Sequence, residues 1–101
     1  MSDRRRYERH PVNVPVNVST TVRRDRVGVT RDLSASGVLF HSISKFAPGE
    51  RVVVYFKHNH KRGTTAGYVV RAELDETTDG MFRFLTAVRF DAPLLDLDLV
   101  A

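Results

Sequence analysis

The chain has 101 residues, which suits one domain with a thin core and leaves no room for a second. Apolar residues make up 42% of it, a globular composition, and the formal net charge is +4. There is no cysteine, which excludes disulfides, thiolate nucleophiles and cysteine-ligated zinc.

The N-terminal stretch, MSDRRRYERH, is charged and has no apolar run after it. It does not read as a signal peptide, no segment approaches the ~20 apolar residues of a membrane span, and a cytoplasmic location is expected. Pro11 to Ser19 alternates: Val12, Val14, Val16 and Val18 face one way and polar residues the other, the period of a half-buried strand. Pro15 lacks a backbone N–H, which points to an edge strand or a bulge there. Arg23 to Arg26 reads as a charged loop, Val27 to Asp32 as a second strand, Leu33 to Gly37 as a turn and Val38 to Ser42 as a third strand. Ala47 to Glu50 is another turn, with Pro48 and Gly49 suited to the two central positions of type II. Arg51 to Lys57 is β-rich, Asn59 to Gly63 is a polar loop, and Thr64 to Leu74 and Met81 to Phe90 are the last two strands. About six strands at regular spacing predict an all-β barrel or sandwich. The tail from Ala92 to Ala101 has two readings. Asp91 and Pro93 could open a short helix, whereas Leu95, Leu97 and Leu99 alternate like a strand.

Charge is uneven along the chain. Arg4, Arg5, Arg6 and Arg9 crowd the start, a second group is Arg23, Arg24, Arg26 and Arg31, and a third is Lys57, Lys61 and Arg62. Arginine grips phosphate or a guanine edge in a planar, bidentate way, so an anionic partner is one reading and a solvated face the other.

Two segments stand out. Arg4-Arg5-Arg6-Tyr7-Glu8-Arg9 spells RRxxxR, and Asp32-Leu33-Ser34-Ala35-Ser36-Gly37 spells DxSxxG. In this order and at this separation they resemble the two signature motifs of the PilZ domain family. Val29 to Phe40, Ala47 to Val52, Gly67 to Arg71 and Ala87 to Phe90 are similar to the family's core, to its turn into the next strand and to its closing strands. The resemblance implies a six-stranded antiparallel split-type β-barrel with at most a short C-terminal helix. It further implies that residues 1–10 form a flexible, arginine-rich ligand-binding segment and 11–101 the barrel. The implied ligand is cyclic di-GMP, a bacterial second messenger, with a downstream protein as reader of the signal.

The chemistry fits that ligand, which carries two guanines and two phosphates. Arg4, Arg5 and Arg9 fit the motif register and supply planar cations for phosphate and guanine. Arg6 is a spare or a second phosphate contact, and Arg71, on a predicted strand, is an accessory candidate. Asp32 can accept from the N–H groups of a guanine edge. Ser34 can donate to phosphate or base, or bond the turn backbone. Gly37 allows a positive φ or a close ligand approach. Taken alone, DxSxxG is more often a plain turn; beside RRxxxR the balance reverses.

Other constellations are weaker. His58 and His60 lack a third ligand, so no metal is expected. Asp75, Glu76 and Asp79 read as solvated turn carboxylates. Tyr55, Phe56 and Tyr68 could stack bases but sit in apolar runs and read as core. No nucleophile-and-base pair and no phosphate-binding glycine loop is evident, so the chain is expected to be neither an enzyme nor a cofactor protein. A cyclic di-GMP receptor is the leading reading. The alternatives are a small basic barrel that binds nucleic acid and a PilZ-like adaptor that works without ligand.

Overall fold

The computed structural model describes residues 10–58 and 61–94. Seven strands run in chain order: β1 (His10–Pro11), β2 (Pro15–Ser19), β3 (Arg26–Leu33), β4 (Gly37–Ser42), β5 (Arg51–His58), β6 (Lys61–Leu74) and β7 (Phe84–Phe90). Every pairing is antiparallel. Around the barrel the order is β3-β2-β5-β6-β7-β4, and β4 closes back onto β3. The result is the expected closed six-stranded antiparallel barrel, with the two-residue β1 continuing the line of β2 along β3. No helix occurs among the described residues, and none is therefore long and apolar enough to cross a membrane. Residues 95–101, on which the helix-or-strand question turns, lie outside the described residues.

The valine alternation at the start behaves as read: Val14, Val16 and Val18 are buried and Val12 packs against the core. The single expected strand is nevertheless two. Residues 12–14 leave the ladder and wrap around Thr30, whose hydroxyl accepts from Val14 N (2.8 Å) and donates to Val12 O (2.6 Å). A fully buried threonine thus satisfies the backbone groups that the break releases. Of the edge or bulge expected at Pro15, an irregularity is found in the 12–14 break just before it, and the edge is not. β2 is internal, paired with β3 and β5, and Pro15 is its first residue, one position before the β5 ladder begins at Val16.

β4 and β5 follow each other in sequence but are not neighbours in the barrel, so residues 43–50 must cross over. Phe46 anchors that crossing. It is buried against Phe40 edge-to-face, with ring centroids 6.0 Å apart. The crossing ends in the expected turn, in which Glu50 N donates to Ala47 O and Gly49 holds φ at +87°, the left-handed value a type II turn needs. The rest of the core comes from inward residues of the remaining strands, among them Leu33, Val38, Val54, Phe56, Val69, Val88 and Phe90.

β6 is shared between two ladders. Lys61 to Tyr68 pairs with β5, and Gly67 to Leu74 pairs with β7. At Gly67 the two ladders overlap, and a Cβ there would collide with the backbone carbonyl of Arg89.

Candidate functional site

In β3, Gly28 and Thr30 are buried, so strict alternation would turn Asp32 inward as well. The register against β4 shifts between Thr30 and Asp32, making Arg31 the extra residue of a bulge. Past it, Asp32 lies opposite Leu39 and faces out half-buried, and Leu33 turns fully into the core. β6 repeats the device. Its register against β7 shifts between Val69 and Arg71, so Val70 is the extra residue and both Val70 and Arg71 are exposed. The two bulges fall on one cross-strand row, Pro11–Asp32–Leu39–Ala87–Arg71, on β1, β3, β4, β7 and β6. Bulges re-aim side chains beside functional sites. Here they set a carboxylate and a guanidinium on either side of a shallow floor, the half-buried Leu39 and Ala87. Neither floor residue was singled out from the sequence, where each is one more apolar position in a strand.

One end of this row meets the turn between β3 and β4. Ser34 is 3% exposed. Its amide donates to Gly37 O (3.0 Å), and its hydroxyl accepts from Ser36 N (3.2 Å) and lies 3.1 Å from the Ser36 hydroxyl. Of the two roles open to Ser34, the structure displays the bond to the turn backbone, and the exposed hydroxyl is that of Ser36, which the sequence reading passed over. Gly37 does not take a positive φ. It is small because β7 runs against it: a Cβ would overlap the Val88 carbonyl. The turn also holds the chain that leaves β7, since Phe90 N donates to Ser36 O (2.9 Å) and Leu94 N to Ala35 O (2.6 Å). Arg51 grips the Asp91 carboxylate with both terminal nitrogens and adds a second tether there; this bond raises the arginine's pKa further.

Arg4, Arg5, Arg6 and Arg9 lie outside the described residues. The chain just after them is described. His10 pairs with Leu33 and Pro11 with Asp32, so the segment that follows RRxxxR runs antiparallel to the first two residues of DxSxxG.

Other candidates find different settings. Arg23 donates to Lys45 O (2.8 Å) and lies over the Phe46 ring at 5.5 Å, which makes it a clamp between two loops. Phe56 is core as expected, but Tyr55 is half-buried and Tyr68 is 36% exposed on the outer face. Asp75 is not a freely solvated turn carboxylate. It bonds His41 and Thr77, and those bonds, Thr77's first, hold its pKa down at about 2. Arg31, Glu73, Asp75, Glu76 and Leu85 line an open, polar cleft of about 470 Å³ beside it. The side chains of His58 and His60 lie outside the described residues. Among those described, no three acidic or histidine groups come together as a metal site would need.

Comparison with solved structures gives a match to the inhibitor of motility (MotI/DgrA) of Bacillus subtilis, with a TM-score of 0.77 at 16% identity. The match covers 98% of this chain and 49% of that one, so the present chain spans about half the neighbour's length and shares its fold there. No curated protein matches in sequence. The PilZ domain family model matches residues 3–98, nearly the whole chain and both motifs. The paired bulges, the DxSxxG turn between β3 and β4 and the closed barrel are therefore those of a family member: this chain belongs to the PilZ domain family.

Proposed function

We propose that this protein is a receptor for cyclic di-GMP. PilZ domains are a receptor and adaptor family rather than a family of enzymes, and cyclic di-GMP is the ligand associated with them. The observation that carries the reading to this chain is the pairing of His10 and Pro11 with Leu33 and Asp32. It ties the residue next to Arg9 to the DxSxxG strand, so the two motifs can act on one ligand. Arg4, Arg5 and Arg9 are assigned to phosphate and guanine, with Arg6 in reserve. Asp32 accepts from a guanine edge, Ser34 and Gly37 shape the turn beneath it, and Arg71 is an accessory cation. Occupancy changes the conformation of the arginine segment or the surface offered to a protein partner.

Calorimetric titration of the intact protein tests this. Binding is expected at micromolar affinity or better, on the order of 8 kcal/mol. A folded protein that gives no heat with cyclic di-GMP, or that binds a short single-stranded oligonucleotide more tightly, overturns the proposal.

A further inference from the structure

Arg89 was not among the candidate residues, yet its position is unusual for a strand arginine. It sits on β7 with Gly37 opposite on one side and Tyr68 opposite on the other. Its neighbours Val88 and Phe90 are buried, so Arg89 faces outward, and it is exposed. Gly37 has no side chain, so none stands across from Arg89 on the side of the DxSxxG turn. The turn itself is at hand, because the amide of the next residue, Phe90, is bonded to Ser36 O.

Arg71 lies close by on the same face. It pairs with Ala87, two residues from Arg89 along β7, which makes the two arginines diagonal neighbours on adjacent strands. Diagonal pairs stand roughly 7–8 Å apart, within reach of long side chains. Neither makes an ion pair with a described residue. The fold therefore sets two exposed guanidinium groups on neighbouring strands of one face, where a single anion can meet both. Arg51, near the same row through its pairing with Tyr68, shows the contrast: its charge is already taken by Asp91.

Resting on the cyclic di-GMP reading, we infer that Arg89 is a further ligand-contact residue. With Arg71 it forms a fixed cationic wall on the barrel face, opposite Asp32 across the Leu39–Ala87 floor. The wall takes a phosphate or the O6/N7 edge of a guanine, both of which suit a guanidinium. It is built on strands, so its geometry is set by the barrel and does not depend on the N-terminal arginines.

The test is titration of cyclic di-GMP into wild type, Arg89→Ala, Arg89→Lys and Arg24→Ala. Arg24 is an exposed loop arginine before β3, so its variant removes the same charge away from the row. Arg89→Ala is expected to weaken binding at least tenfold, Arg89→Lys by less, and Arg24→Ala by less than twofold. Equal affinity of Arg89→Ala and wild type overturns the inference, as does an equal loss in Arg24→Ala, which would mean net charge alone. No binding by wild type overturns the receptor reading itself, a separate outcome. Should Arg89→Ala fail to fold, the Arg89 Nε–H resonance of wild type decides: it shifts on addition of cyclic di-GMP if the contact exists and stays in place if it does not.

Discussion

The Nε2 of His41 on β4 lies 2.8 Å from the Oδ2 of Asp75 just past the end of β6, tying a strand to a connection far from it in sequence. The other carboxylate oxygen accepts from the amide (3.0 Å) and hydroxyl (2.6 Å) of Thr77. These bonds lower the Asp75 pKa from 3.8 to about 2. A carboxylate depressed in the folded state stabilises it above the ordinary value and loses that effect as pH falls through the depressed one. Asp75→Asn should therefore melt below wild type at neutral pH, and the gap should close as pH drops from about 4 to about 2. Thermal melts of both proteins across that range check this, and a gap that stays constant down to the lowest pH refutes it.

Gly67 is where the two ladders of β6 overlap, and the Arg89 carbonyl occupies the space a Cβ would need. The obstacle is backbone, which cannot swing aside. Gly67→Ala should cost roughly 1–3 kcal/mol, as overpacking does. Gly80→Ala is the matched control, since a Cβ there meets nothing within 4 Å. Urea unfolding should separate the two variants clearly; equal midpoints would show that β7 yields.

Thr86 is fully buried on β7 opposite Phe40, and its hydroxyl has no hydrogen-bond partner among the described residues. Valine has nearly the same shape without the unpaired group. Thr86→Val should raise stability by about 1 kcal/mol, seen as a melting point higher by about 4–8 °C. A lower melting point would mean that the hydroxyl is satisfied in solution.

Asp32 separates guanine recognition from general charge attraction. Under the receptor reading, Asp32→Ala should weaken cyclic di-GMP about tenfold or more, since each 1.4 kcal/mol is tenfold and an unpaired buried donor costs roughly 1–3 kcal/mol. Asp32→Asn should be milder, because the amide oxygen still accepts. A basic surface that binds phosphates by charge would bind equally well or better without this carboxylate. Melting temperatures measured beside the affinities keep a loss of fold apart from a loss of contact, and a folded Asp32→Ala that binds like wild type removes Asp32 from the site.

Most strands and the two motifs were legible because they are local, although of the loop expected over Asn59 to Gly63 the part from Lys61 onward pairs with β5 as the start of β6. The valines of β2 and the Pro48–Gly49 turn obey rules that act within a few residues. What escaped depends on the partner strand. Nothing in VTRDL tells that Arg31 is an extra residue and that Asp32 therefore faces outward, because a bulge is a relation between two ladders. Gly37 was read for its freedom in φ, whereas its smallness answers to Val88, a residue about fifty positions away. Arg89 looks like any exposed strand arginine until Gly37 and Tyr68 are seen beside it. Thr30 reads as a β-former, and its service to the 12–14 break is visible once β1 and β2 are in place.

β6 runs for 14 residues. Fully extended, that is about 45 Å at roughly 3.3 Å per residue, against 35 Å along the protein's longest principal axis. It curves around the closed barrel, carrying one ladder on its first half and the other on its second. A strand common to both halves acts as a continuous spring between them. The halves cannot part like the lobes of a hinged protein without breaking one of its ladders. Motion available to this domain at low cost is therefore confined to the exposed connections between its strands, such as residues 21–25 before β3.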